Sequence, residues 1–409
     1  MKIRATKIFA LVIFLGFQGV ELFGQSTYQT PPKAIADLVN APSTPSVRWS
    51  KNGEWMLLME RSDNPSIETL SQPELKIAGM RINPATSGPS RQIGVENIKI
   101  KKTQSGEEIQ ITGLPSLPNM GGMSFSHDEK YMSFIQTDAD GISLWLVDLT
   151  TFSAKKLTDK IINDVYGNPV AWTPDNKLLV KAVNPTRGEI PKRPAAPAGP
   201  IIQETTGDAA PSRTYQDLLE NSYDEALFAY FMDSQLMKID LEGNKTPIGP
   251  SGMIKSMDLS PDGNYIMVDL IKKPFSYLVP ASRFPYDVEI WSIDGKKVKA
   301  LAQIPLDENR PTGFDATVTG PRNINWRADK PAMLYWVEAQ DGGDARVEVE
   351  VREIIYTLAA PFAGAKQKLA TTPYRFGGII WSNDSFAIMG ERWSRTRMDK
   401  RSIINPSDP

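Results

Sequence analysis

Six times along the chain a short apolar strand ends in an aromatic or aliphatic residue, then meets a polar turn. In most cases a second apolar strand follows. The fullest example is Met257-Asp258-Leu259-Ser260-Pro261-Asp262-Gly263-Asn264-Tyr265-Ile266-Met267-Val268. Chemistry sets its turn: proline holds φ, aspartate bonds back to the chain, and glycine takes the positive-φ position. The other units start at Val47, Met123, Val170, Ile324 and Ile380. After several of them comes a further strand, a polar turn and a short closing strand, as in residues 143–149 with 155–158 and 287–295 with 298–301. Each repeat therefore predicts one four-stranded antiparallel sheet. Sheets of this kind stacked around an axis make an all-β fold, the β-propeller. A β-sandwich would have similar strand content but no recurring turn formula.

The spacing of the units is irregular because insertions separate the strands. Residues 184–200 are proline-dense and predict an extended loop. Between 214 and 232, Leu218, Leu219, Tyr223, Leu227, Phe228 and Phe231 recur at helical spacing, so one short helical insertion is expected there. The propeller should occupy residues 46–409, after a lead-in over 25–45.

Lys2, Arg4 and Lys7 precede an apolar run over residues 8–17, and Phe23-Gly24-Gln25 follows. This predicts a secretory signal peptide over residues 1–24, cut after Gly24. The run is shorter than the ~20 residues that cross a bilayer, and Gln18 and Glu21 interrupt it, so no stable membrane anchor is expected. The mature chain should be exported, to the periplasm or outside the cell.

Composition narrows the chemistry. Of 409 residues, 41% are hydrophobic and 23% charged, enough to bury a sizeable core. Lys+Arg 46 against Asp+Glu 48 leaves a net charge of −2, which disfavours a nucleic-acid partner. There is no cysteine, which excludes disulfides, thiolate metal sites and a cysteine nucleophile. His127 is the one histidine, and it occupies the turn position where the fullest repeat has proline. A solvent-facing turn residue is the expected role.

No string fits the Gly-x-Ser-x-Gly turn of an α/β-hydrolase nucleophile; residues 122–126 and 249–253 come nearest. Asp341-Gly342-Gly343-Asp344 reads as a hairpin turn, with a calcium loop as the alternative. Lys99-Ile100-Lys101-Lys102 reads as a solvated strand face. Arg392, Arg395, Arg397, Lys400 and Arg401, with Trp393 among them, read as an edge strand guarded by charge. The alternative is a surface that attracts an acidic peptide. The sequence thus assigns no catalytic residue, no cofactor-binding residue and no metal ligand, and it implies no cofactor.

Several longer strings resemble a known family. They are Thr186-Arg187-Gly188-Glu189-Ile190-Pro191-Lys192-Arg193-Pro194, Arg213-Thr214-Tyr215-Gln216-Asp217-Leu218-Leu219, Arg283-Phe284-Pro285 with Val288-Glu289-Ile290-Trp291, and residues 324–345. From about Ala41 onward the chain resembles the N-terminal β-propeller of the prolyl oligopeptidase family of serine peptidases, most closely its glutamyl endopeptidase branch. The resemblance implies a C-terminal α/β-hydrolase domain carrying the Ser-Asp-His triad, and more blades than six; neither is found before Pro409. It further implies that the propeller limits which peptides reach that domain. The expected function is the non-catalytic propeller portion of an exported serine endopeptidase, inactive alone. Its partners would be peptide substrates met through a hydrolase domain that this chain lacks. A stand-alone periplasmic binding module is the alternative.

Overall fold

A computed structural model of the chain describes residues 31–41, 43–196, 199 and 214–408. The expected signal peptide, the start of the lead-in and part of the proline-dense loop lie outside the described residues. The chain divides into two units, Met1–Ser43 and Thr44–Pro409. In the first, helix α1 (Lys33–Val39) follows Pro32 and buries none of its side chains.

The second unit is a succession of antiparallel sheets, each adding its strands in chain order. Blade 1 pairs Ser46–Trp49, Trp55–Glu60, Asn97–Lys102 and Glu108–Gln110. Blade 2 pairs Met120–Phe125, Tyr131–Asp138, Gly141–Asp148 and Ser153–Lys156. Blade 3 takes Val170–Trp172, Leu178–Val183, Asp233–Ile239 and the first part of the long strand Lys245–Leu259. The second part of that strand opens blade 4, joined by Tyr265–Ile271, Tyr286–Ser292 and Lys297–Ile304. Blade 5 is Pro321–Trp326, Met333–Ala339, Glu353–Ala359 and Gln367–Thr372. Blade 6 has three strands, Arg375–Asn383, Phe386–Trp393 and Met398–Ile404.

The core shows how these sheets are arranged. Leu57, Ile98 and Ile100 of blade 1 form one buried cluster with Met132, Phe134 and Val147 of blade 2. Leu144 and Leu146 meet Trp172 and Val180 across blades 2 and 3, and Leu236 and Ile248 meet Ile266 and Trp291 across blades 3 and 4. Val288 and Ile290 meet Trp326 and Leu334 across blades 4 and 5. Val337 and Ile355 meet Phe376 and Met389 across blades 5 and 6. Each of these five clusters joins blades that are neighbours in sequence, which is the packing of a propeller. Among the described residues no such cluster joins blade 6 to blade 1. Their outer faces are open, with Trp49 53% and Ile380 60% exposed.

All six recurring turns lie between the first and second strands of a blade. In the fullest one the Ser260 hydroxyl donates to Asp262 Oδ1 at 2.6 Å, Asp262 Oδ1 accepts from Asn264 N at 3.0 Å, and Gly263 has φ +71°. Glu129 and Asn176 take the same left-handed position in blades 2 and 3. The turns also touch one another in chain order. Asn52 N donates to Glu129 Oε1 at 3.0 Å, Asn176 Nδ2 to Asp128 Oδ2 at 2.8 Å, and Asp262 N to the Pro331 carbonyl at 3.0 Å. Gly263 lies against Pro174, and Lys330 pairs with Asp384. The six turns therefore occupy one end of the unit, and the connections between second and third strands must emerge at the other.

The helical insertion is shorter than the spacing predicts. Helix α3 spans Ser222–Met232, not 214–232. Asp217 takes a left-handed φ of 58°, and Asn221 caps the helix by accepting from Asp224 N, so the preceding residues cannot be helical. A second short helix, α2 (Ile67–Ser71), capped by Ser66, and a small three-stranded sheet over Leu75–Pro89 interrupt blade 1. The sequence pattern did not foretell either.

Candidate functional site

The end opposite the recurring turns carries the insertions. There Ile77 and Ile82 from blade 1, Leu227, Phe228 and Phe231 of α3, and Phe275 and Phe284 from blade 4 pack into one buried apolar cluster. Phe228 meets Phe275 and Phe284 edge-on at 4.9 and 5.3 Å. The insertions thus brace one another instead of hanging as separate loops.

Beside this cluster lie ionisable groups in a poorly solvated setting. Lys181 is 1% exposed and its ammonium donates to the Tyr166 carbonyl. Burial pulls its pKa down to about 8, partly opposed by Asp164. Burial likewise pushes Asp164 up to about 6, with Lys181 acting against it. On blade 4, burial lowers the Lys255 pKa; its ammonium sits 3.6 Å from the centre of the Tyr286 ring. Burial raises Asp269, which accepts from the Ser256 hydroxyl at 2.8 Å, and drives Tyr286 up to about 12. Perturbed groups so gathered mark this end as the candidate functional face.

A second cluster closes the same end over blades 5 and 6. Arg375 spans Asp341, at 2.7 Å from Nη2, and Glu353, at 3.0 Å from Nη1. Its Nε donates to the Asp315 carbonyl at 2.6 Å. Arg352 also donates to Asp341 and lies 4.5 Å over the Trp393 ring, while Arg322 donates to Glu353. Glu353 Oε2 accepts from Phe376 N at 2.6 Å, and Asp315 accepts from Ser394 N and Oγ at 2.7 Å each. Three guanidinium groups share two carboxylates, Asp341 and Glu353, while the Asp315 carboxylate is held by Ser394, so the acceptors of the cluster are largely used. It can hold blades together; it has little left for a ligand.

The residues singled out by sequence fall as follows. His127 is exposed in its turn, with Nε2 3.2 Å from the Trp172 carbonyl. The Ser124 hydroxyl is 3.1 Å from that of Ser133, and Ser126 donates to Asp128 at 2.8 Å, so both serve the turn and strands around them. Residues 341–344 do form a turn, with Asp344 N donating to the Asp341 carbonyl at 3.2 Å and both glycines at positive φ, and the Asp341 carboxylate is in addition the buried anion of the arginine cluster. Lys99, Lys101 and Lys102 pair with Glu60, Glu108 and Glu107 at the surface. Of the basic run, Lys400 and Arg401 lie on an edge strand, where Lys400 pairs with buried Glu391 at 2.9 Å, but Arg392 is on the central strand of blade 6 and Arg395 and Arg397 lie in the turn between the two strands. Sequence reasoning missed the Asp164–Lys181 pair and the roles of Arg322, Arg352, Arg375 and Glu353. A charged residue at an inward position of a strand, as in Glu353-Ile354-Ile355, was the available signal. Among the described residues no group of three or more His, Asp or Glu is arranged to hold a metal ion.

Comparison with known proteins places this geometry. The chain shares 36% identity over 394 residues with a rice (Oryza sativa subsp. japonica) protein named "Probable glutamyl endopeptidase, chloroplastic", covering 93% of this chain and 42% of the rice protein. An Arabidopsis thaliana protein of the same name matches at 36% over 395 residues, covering 93% and 41%. The chain therefore spans less than half the length of these curated relatives. No family model matches it. Among solved structures, the β-propeller domain of the trilobed protease from Pyrococcus furiosus covers 89% of this chain and 96% of its own, at 13% identity and a TM-score of 0.35. The fold rests on the sheet-to-sheet contacts above and not on that likeness. The resemblance to glutamyl endopeptidases read from the residue strings holds, over under half of their length.

Proposed function

We propose that this chain is the non-catalytic propeller portion of an exported serine endopeptidase, and that its insertion-bearing end faces the peptide and a separate hydrolase domain. The observation that carries the reading is the 36% identity to two proteins named as glutamyl endopeptidases, spread over 93% of this chain but under half of theirs. The geometry is compatible with it. Ser124 and Ser126, in one of the two strings nearest to a nucleophile turn, are engaged in structural hydrogen bonds, and His127 lies in a tight turn at the far end from the insertions. In this reading the propeller admits extended peptides and excludes folded proteins, while acyl transfer takes place on the other domain.

The test starts from the gene. The reading frame after the Pro409 codon, or an adjacent gene, should encode a hydrolase with a Gly-x-Ser-x-Gly turn. The product should bind this chain, and the assembly should cleave peptides in preference to folded proteins. A genomic neighbourhood without such a hydrolase, or an assembly that digests folded substrates equally well, removes the reading.

A further inference from the structure

The aromatic or aliphatic residue that closes the recurring first strand has one role at five of its six positions. Phe125, Trp172, Leu259, Trp326 and Trp381 each pack on the blade before their own. Two of them also bond to it: Trp172 Nε1 donates to the Ser124 carbonyl and Trp326 Nε1 to the Asp258 carbonyl, both at 3.1 Å. Ser124 and Asp258 hold the same place in blades 2 and 4, one residue before the strand ends. Trp49 is the sixth member of the set, and no blade precedes it among the described residues. It is half exposed, its indole N–H meets no acceptor there, and Val47, Met56 and Leu58 extend an apolar patch along the same face of blade 1.

The surface that such a tryptophan needs is present on blade 6. Ile380 stands one residue before Trp381 and so takes the place of Ser124 and Asp258. Ile388 and Ile403 lie across the sheet from it and complete an apolar row, with Ile403 73% exposed. Beside this row Gly378 pairs with Gly390, so no side chain fills the sheet at that point. A groove of about 460 Å³ results, lined by Gly378, Gly390, Ile380 and Ile388 and by the basic Arg392 and Arg401. Inside the chain, the corresponding place on blades 2 and 4 receives Trp172 and Trp326. The lysines on the open face of blade 1 would not oppose the arginines of the groove, because Lys99 and Lys101 are paired with Glu60 and Glu108.

We propose that blade 6 of one copy of this chain binds blade 1 of a second copy, with Trp49 seated in the groove and its indole donating to the Ile380 carbonyl. A second copy is the occupant because the chain exposes both halves of the contact, and each half repeats a junction it already makes internally. The two halves are complementary and not alike, so the contact is heterologous and the assembly grows with concentration. The proposal stands apart from the peptidase reading, because it concerns association of this chain with itself.

Sedimentation across a wide concentration range tests it, together with cross-linking that the absence of cysteine makes site-specific. The average mass of the parent protein should rise with concentration. Trp49→Ala should weaken association by about thirtyfold, the loss expected of a buried tryptophan anchor, and should melt like the parent in dilute solution because the side chain is exposed there. Ile67→Ala, at an apolar residue 86% exposed on α2, should associate as the parent does. Val47→Cys and Ile380→Cys proteins, mixed and treated with a short bis-maleimide, should give a mixed dimer, and either variant alone should give little. Four results would each overturn the proposal: a monomer at every concentration, unchanged association of Trp49→Ala, equal cross-linking of one variant alone, or an internal link in the doubly substituted protein in dilute solution. The last would mean that the two faces meet within one copy.

Discussion

Replacing Asp341 by asparagine should weaken the junction of blades 5 and 6 far more than its small change in shape suggests. In the native cluster Asp341 Oδ2 accepts from both Arg352 and Arg375, and Oδ1 accepts from Arg375 at 3.0 Å and from Gly343 N at 3.0 Å. The amide keeps one acceptor for Gly343 but turns N–H groups toward two guanidinium ions. Asp341 and Glu353 are 4% and 0% exposed, so water cannot compensate. Breaking a buried pair this way costs about 3–5 kcal/mol. With roughly 2 cal/mol/K of unfolding entropy per residue, a cooperative unit of this size should lose about 5 °C of melting temperature. Calorimetry gives the shift, and hydrogen exchange should localise the loosening to residues 321–404. The control is Asp344→Asn in the same loop, where the partner Arg346 is largely exposed and the midpoint should not move measurably. Adding Arg352→Met to Asp341→Asn should recover part of the loss, because Asp341 is the carboxylate partner of Arg352 whereas Arg375 keeps Glu353. Equal effects of Asp341→Asn and Asp344→Asn would refute the account of the cluster as a buried brace.

Three further outcomes are expected. Gly263→Ala should lower stability by about 1–3 kcal/mol in urea titration, since φ is +71° and the new methyl would lie 2.4 Å from Pro174; an unchanged midpoint contradicts the turn-to-turn contact. Asp164, pushed up to about 6, binds its proton more tightly folded than unfolded. Its contribution to stability is full below the ordinary value of 3.8 and fades as pH rises through about 6, so Asp164→Asn should remove a downward slope of stability across that window; identical slopes in both proteins count against it. Ile380→Lys with Ile403→Lys, on the open face of blade 6, should reduce self-association in sedimentation without lowering the melting temperature.

The sequence was most readable where structure is local. Ser260-Pro261-Asp262-Gly263 and its relatives fold by bonds between residues two to five apart, and all six stand at the first turn of a blade. The strand pairs 143–149 with 155–158 and 287–295 with 298–301 are likewise neighbours in sequence, and both form. Helix α3 was placed but begun too early, because its apolar spacing continues into a segment that Asp217 and the Asn221 cap hold out of helical geometry. What stayed hidden depends on distant partners. Asp341 acquires its role from Arg352 and Arg375, and Lys181 from Tyr166 and Asp164, through tertiary contacts that no local pattern records. The strand Lys245–Leu259 serves two sheets at once, which apolar periodicity cannot reveal.

The central proposal is that this chain forms the stacked sheets of a propeller and leaves the nucleophile to a separate hydrolase domain. Purified residues 25–409, treated with a fluorophosphonate probe and mapped by mass spectrometry, should show no labelled serine and no hydrolysis of glutamate-containing fluorogenic peptides. A stoichiometrically labelled serine within that span, lost together with peptide cleavage on its replacement by alanine, would contradict it.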